Sequence, residues 1–361
     1  MDALSQRHLL RRAWPTADRP ARAPAAVAAA AANRPKLAPS PQAPRRPLPS
    51  LSCVLPCRNE ASNLAELLPL LLDTVSAAVE RWEIIVVDDG SSDGTAALMA
   101  DWVRVEGVRC LRLSRNFGKE AALSAGLGAA AGDVVVTMDA DLQHDPALIP
   151  LLLERWRDGA EMVYAQRQHR RDEAGYKRLG ARLFYALLNA ADRFEVPAGA
   201  GDFRLMDRKV VDALLALPER NRFMKGLYAW VGYRAEAVPY MPAARAHGRT
   251  HYSPLRLLKL SIDGLTAFTT WPLRAVSAAG FVLAGLAFGY GAYLTGSYFL
   301  YGHDIGGWTT IVVSLMLFAG IQLVSLGIVG EYVGRIFEEA KGRPLYLVES
   351  AAGRGLDAGP A

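Results

Sequence analysis

The residues of this chain best suited to chemistry gather in Gly132–Pro146, GDVVVTMDADLQHDP. Val134, Val135, Val136 and Met138 form a short apolar run bounded by Gly132-Asp133 and Pro146, which predicts a strand buried on both faces. Asp139, Asp141 and Gln143 stand at its carboxyl end. If the chain stays extended, their alternation sets all three on one face. Two carboxylates and an amide oxygen make a hard oxygen site, suited to Mg2+ or Mn2+ carrying phosphates. Ligands of open α/β sheets bind just past the carboxyl ends of strands. The plainer reading of the same residues is an acidic turn closing a strand. Two more polar stretches follow apolar runs: Pro56-Cys57-Arg58-Asn59-Glu60 and Val86-Val87-Asp88-Asp89-Gly90-Ser91. Three such exits on one sheet edge make a nucleotide pocket. There a carboxylate can accept from a base N–H or a ribose hydroxyl, and a metal can take the diphosphate.

The elements that must position these exits alternate. Strands are predicted at Leu51–Leu55, Trp82–Val87, Cys110–Leu113 and Glu161–Ala165 besides the central one. Helices are predicted at Asn59–Val79, Thr95–Val105 and Lys119–Ala131, the first with leucines at helical spacing. This alternation means βαβ units and a parallel sheet. The pattern Gly126-x-Gly128-x3-Gly132 precedes a strand instead of opening a helix after one, which excludes a dinucleotide-binding oxidoreductase.

The rest of the chain places that domain. Of 361 residues, 51% are hydrophobic, and the apolar ones concentrate in the last third. Residues 1 to about 48 are rich in Ala, Pro and Arg without apolar periodicity, the composition of a disordered basic arm. The net charge of +5 comes without an aromatic-basic nucleic-acid motif and fits attraction to an anionic leaflet better. Three cysteines, Cys53, Cys57 and Cys110, form no disulfide framework and suit a reducing compartment. Tyr176–Phe194 and Pro254–Thr270 read as basic amphipathic helices, packed on a domain or lying on a membrane. Ala275–Gly302 and Gly306–Gly330 carry no charge, and each exceeds the roughly 20 residues that span a bilayer. Arg256, Lys259 and Arg274 precede the first span and Arg335, Lys341 and Arg343 follow the second, so the positive-inside rule sets both outer ends in the cytoplasm.

With these motifs in order, the chain resembles the family 2 inverting glycosyltransferases of GT-A fold, and within them the polyprenyl-phosphate glycosyltransferases. The stretches carrying the resemblance are VLPCRNE (54–60), EIIVVDDGSSDGT (83–95), LSRNFGKEAALSAGL (113–127), GDVVVTMDADLQHDP (132–146), GDFRLMDRKVV (201–211), RFMKGLYAWVGY (222–233) and LGIVGEYVGRIFEEAKGRPLYLV (326–348). The resemblance implies an α/β GT-A domain with a mostly parallel central sheet over 49–252 and an interfacial helix over 253–271. A two-helix transmembrane hairpin follows over 272–333, with spans at about 275–300 and 308–331, then a cytoplasmic tail over 334–361. It implies transfer of one sugar from a UDP- or GDP-linked donor to a membrane polyprenyl phosphate, with Mg2+ or Mn2+.

Residue by residue, Asp139, Asp141 and Gln143 resemble the metal ligands. Pro56, Asn59, Glu60, Asp88 and Asp89 resemble the nucleotide contacts, and Arg115 and Lys119 sit near the donor. Arg167, Arg171, Lys177 and Arg178 fall where a basic loop and helix meet the lipid phosphate, and Asp202 and Arg204 resemble residues of the reaction centre, with Asp141. A tetramer through the hairpins is implied by resemblance alone. The sequence departs from the family at Cys57, where an aromatic is usual, at Gly180-Ala181, and at His251, where Lys is usual. No Q-x-x-R-W is present, which favours single-sugar transfer over processive synthesis. The competing readings are transfer to another membrane lipid and an inactive scaffold that keeps the fold.

Overall fold

The computed structural model of the chain describes residues 46–167, 200–220, 222–241, 271–301 and 307–356. Most of the N-terminal arm, both amphipathic helices, and Arg171, Lys177, Arg178 and His251 lie outside the described residues. The described residues fall into two compact units, one of 46–241 with 344–356 and one of 271–343.

In the first unit the strands are β1 (Leu51–Cys57), β2 (Trp82–Asp88), β3 (Val108–Leu113), β4 (Val134–Thr137), β5 (Met162–Arg167), β6 (Ala200–Asp207), β7 (Ala235–Tyr240) and β8 (Val348–Gly353). Its helices are α1 (Ala61–Ala78), α2 (Thr95–Trp102), α3 (Lys119–Ala129), α4 (Ile149–Arg157), α5 (Arg208–Ala216) and α6 (Met224–Trp230). One eight-stranded sheet runs β7-β5-β6-β4-β1-β2-β3-β8, parallel except for β6 and β8. This is a GT-A-like α/β fold. β1, β2 and β4 are apolar on both faces because helices cover both, and every residue of β1 and β4 is buried.

The strand order fixes where a ligand can sit. From β1 the chain moves outward to β2 and β3, then returns through α3 to β4 on the other side of β1. That reversal opens a crevice beyond the carboxyl ends of β1 and β4. The opposite edge is stapled shut. Ser52 Oγ donates to the fully buried Glu83 at 2.6 Å and accepts from Gly132 N at 2.8 Å, and Arg109 pairs with Glu83 at 3.2 Å. Asp133 accepts from both the backbone N and the hydroxyl of Ser50.

α3 packs closely on β1 and β2, and small residues, Ala121, Ala122, Ala125 and Gly126, are among its buried ones beside Leu123 and Leu127. A Cβ at Gly126 would fall on the Val54 side chain and 3.0 Å from Val87 Cγ2. β8 closes the sheet beside β3, tied by Arg112–Glu349 at 2.9 Å and by Ser114 N donating to Leu347 O.

The second unit holds two helices long and apolar enough to cross a membrane, α7 (Trp271–Tyr301) and α8 (Trp308–Ala340). Their apolar stretches, Ala275–Leu300 and Thr310–Ala340, have mean hydropathies of 1.6 and 2.3, and none of their described side chains is buried. α8 continues past Gly330 to Ala340, helped by an i,i+4 pair between Glu331 and Arg335 at 3.0 Å.

Candidate active site

β4 ends at Thr137, and the acids follow in a turn, with Leu142 in the left-handed region at φ 60°. The chain therefore does not stay extended, and Asp139, Asp141 and Gln143 are presented by a bend instead of one strand face. Asp141 Oδ1 accepts from Gln143 N at 3.1 Å, which closes the bend. Met138, before it, is buried, and its N–H bonds to Val54 O, so the turn hangs from β1.

A second acid arrives from β6, the antiparallel neighbour of β4. Thr137 Oγ1 donates to the backbone oxygen of Asp202 at 2.6 Å, which pins Asp202 beside the β4 exit. Lys119, the first residue of α3, joins the two. Its Nζ lies 2.5 Å from Asp139 Oδ1 and 2.6 Å from Asp202 Oδ2. Burial raises the Asp202 carboxyl, but the nearby Lys119 and Lys225 overcome this and hold it well below the usual carboxylate range. Burial would lower the Lys119 ammonium, yet Asp202 and Asp139 hold it above its ordinary value. Both groups are therefore charged at neutral pH.

Arg204 does not reach the open side. It is buried, its guanidinium stacks 3.4 Å from the ring centre of Tyr228, and Nη2 donates to Gly201 O at 2.8 Å. It supports the backbone that carries Asp202. Glu120 stands next to Lys119. Burial and the neighbouring Asp202 raise its carboxyl to about 7, against Lys119, Lys225 and a bond from the Met224 N–H.

The expected nucleotide contacts divide. Asp89 is buried and accepts from Phe117 N at 2.7 Å and Gly118 N at 2.9 Å, so it moulds the loop before α3. Asp88, also buried, accepts from Ser91 N at 2.8 Å and lies 3.5 Å from Arg112. Asn59, at φ 56°, accepts from Ser92 N, and Ser91 Oγ accepts from Asn59 N. These three residues couple the exits of β1, β2 and β3 to one another. Glu60 accepts from Asn63 Nδ2 at 2.5 Å, Pro56 is buried within β1, and Arg115 lies exposed over the Phe117 ring.

On the other side of the β4 exit, Arg167 ends β5 in register with Tyr240 of β7, and its buried Nε has no hydrogen-bond partner. Tyr240 is pushed up to about 12 by burial; Arg167 opposes the shift, and Asp139 and Asp141 add to it. His144, unremarked in the sequence, is buried with its ring against Phe203 and Tyr240 at 5.2 and 5.5 Å. Burial pulls its imidazole down although Asp139 and Asp141 push back. Its place directly after Gln143 is the one signal that pointed to it. Tyr240, Glu120 and Lys225 gave none, because their roles arise from distant pairings.

Among the described residues, no three His, Cys, Asp or Glu side chains gather as a metal cage. A divalent cation carrying phosphates takes only one or two protein carboxylates and completes its shell from substrate and water. Asp139, Asp141 and the Gln143 amide oxygen fit that demand, and the ammonium already lodged against Asp139 marks the spot as one that attracts cations.

A GT-A-like sheet with acids at the switch point, carried on a chain with two membrane-length helices, is the arrangement of a glycosyltransferase. The chain matches the description "Glycosyl transferase family 2" over residues 52–215. It is 42% identical over 304 residues to the "Uncharacterized glycosyltransferase sll0501" of Synechocystis sp., covering 84% of this chain and 96% of that protein. It is 39% identical over 306 residues to the SfII prophage-derived bactoprenol glucosyl transferase of Shigella flexneri, covering 83% and 98%. The chain belongs to glycosyltransferase family 2 and is a glycosyltransferase. Among solved structures, the mannosyltransferase PcManGT of Pyrobaculum calidifontis with GDP-Man and Mn2+ is 19% identical over 80% of this chain and 90% of that one. Its TM-score of 0.40 is too low to carry any residue's role across.

Proposed function

We propose that this enzyme transfers a single sugar, with inversion, from a UDP- or GDP-linked donor to a polyprenyl phosphate in the membrane. The observation that carries the reading is the convergence of Asp139, Asp202 and Lys119 at the switch point of a family 2 domain whose chain continues into α7 and α8. The bactoprenol acceptor in the name of the Shigella flexneri relative supports the acceptor class.

The nucleotide lies across the exits of β1 and β2, where Asn59, Asp88 and Asp89 set the loop shapes. Asp139, Asp141 and Gln143 hold Mg2+ or Mn2+, which when bound neutralises the departing diphosphate. Lys119 adds a unit of positive charge beside it. The acceptor is a phosphate monoester, already largely ionised at neutral pH, so no general base is required. One acceptor oxygen bonds to the anomeric carbon as the bond to the diphosphate breaks on the opposite face. Arg167 offers the acceptor phosphate a planar fork at the β5 end, and Arg171, Lys177 and Arg178 extend that basic run in sequence. Asp202 orients the reacting groups through its bond to Lys119. The domain faces the cytoplasm, where nucleotide sugars are made, and four copies assemble through the helices.

The test is turnover in membranes. Isolated membranes carrying the enzyme should move label from UDP- or GDP-sugars into a lipid fraction that grows with added undecaprenyl phosphate and vanishes with a chelator. Transfer to diacylglycerol instead would favour the other-lipid reading, and no transfer from any donor would favour the scaffold.

A further inference from the structure

We propose that Lys119 is a built-in competitor for the divalent cation: its ammonium occupies the cation's place at Asp139 until metal and diphosphate arrive together. The inference rests on the metal reading above. One ammonium bridges Asp139 and Asp202 at 2.5 and 2.6 Å, so an acid of the turn after β4 and an acid of β6 share it. The backbone that carries each carboxylate is held in place. Asp202 is pinned through Thr137, and the turn bearing Asp139 hangs from β1 through the Met138 N–H.

The base of Lys119 is fixed as well. Asp89 holds the N–H groups of Phe117 and Gly118, so α3 starts at a set point and only the flexible lysine stem can move. A dication seated on Asp139 and an ammonium at the same carboxylate repel each other. Binding of the cation alone must therefore push Lys119 off Asp139 and leave it Asp202 as its one remaining carboxylate. When the cation arrives with a diphosphate, the ejected ammonium gains phosphate oxygens. Metal and nucleotide consequently favour one another, a coupling that linkage makes reciprocal. Between turnovers the empty site keeps its two acids compensated and is spared from holding free cation.

Binding of Mn2+ to the detergent-solubilised full chain, read by the loss of the free-ion paramagnetic resonance signal, tests this without turnover. Without nucleotide, Lys119→Met should bind Mn2+ about tenfold more tightly than wild type, the equivalent of 1.4 kcal/mol. Lys119→Arg should bind it as weakly as wild type, and Asp139→Asn should lose it. Affinity in Lys119→Met equal to or below that of wild type overturns the proposal. If that variant fails to fold, the wild-type amine decides. Acylation of Lys119 should rise when Mn2+ is added alone and fall again with UDP or GDP, and unchanged reactivity overturns the proposal. A wild-type chain that binds no Mn2+ even with a nucleoside diphosphate sinks the metal reading and this inference together. Wild-type binding without tightening in Lys119→Met sinks the inference alone.

Discussion

Asp141→Asn removes a ligand charge at almost constant volume, so turnover should fall by at least about a hundredfold, the scale of losing a group that stabilises developing charge. The variant should keep its thermal unfolding midpoint and its membrane association, and full turnover in chelator-treated membranes would exclude the metal role. Arg167→Lys separates two duties of the β5 end. A point charge cannot replace a planar fork, so kcat/KM for polyprenyl phosphate should drop by about tenfold or more while binding to anionic vesicles stays unchanged. Wild-type kinetics would reduce Arg167 to a surface anchor. Glu120 gives a pH signature. Its carboxyl is raised in the fold to about 7 by burial and the neighbouring Asp202, so the native state holds a proton that the unfolded chain has released. Stability from this group is present at low pH and declines as pH rises from the ordinary carboxylate range to about 7. Glu120→Gln should therefore raise the unfolding midpoint above pH 7, with the gain shrinking toward pH 4; a gain independent of pH would contradict this. Residue types and spacing alone pointed to Asp139 and Asp141 at the end of an apolar run, whereas Lys119 and Asp202 were reached only through the family resemblance of the motifs that hold them. The partners of the remaining site residues were not legible: the stacking of Arg204 on Tyr228 depends on how β6 and α6 come together, and no sequence pattern displays the backbone N–H groups that Asp88 and Asp89 accept from.

At the scale of elements, the site depends on how closely α3 approaches the sheet. Gly126→Ala puts a methyl onto Val54 and against Val87, backed by buried strands that cannot yield. Overpacking of this kind costs about 1–3 kcal/mol, so the unfolding midpoint should fall by several degrees. Because Lys119 opens the same helix, activity should fall with it. An unchanged midpoint would mean α3 can shift outward freely. The strands β1, β2 and β4 were legible as apolar runs, and α1 as leucines at helical spacing, since burial on both faces or along one stripe writes itself into the letters. β6, β7 and β8 were not assigned. β6 inserts antiparallel between β4 and β5, a pairing set by distant parts of the chain. β8 (VESAAG) is exposed throughout and is held by ladder bonds to β3, so its sequence shows no apolar alternation. The turn after β4 departed from the extended chain that alternation presumes, because Leu142 takes a left-handed conformation and Asp141 caps the bend.

At the scale of the molecule, the two long apolar helices were plain from length and lack of charge, and the structure adds only how far α8 continues. The orientation proposed for them is open to direct labelling. A cysteine at Gly307, between the helices, should react with an impermeant thiol reagent added outside intact cells, and one at Lys341 should react only after lysis. The reverse pattern would set the nucleotide site on the wrong side for its donor. The central claim, that the β4-exit site moves one sugar onto a lipid phosphate, is tested most directly by the linkage in the product. Membranes containing the enzyme, Mn2+, labelled nucleotide sugar and undecaprenyl phosphate should yield a labelled lipid from which mild acid releases a single sugar, as a glycosyl phosphate does. Asp139→Asn and Asp202→Asn membranes should yield none. A labelled lipid that survives mild acid, forms without added lipid phosphate, or persists in both variants would contradict the account.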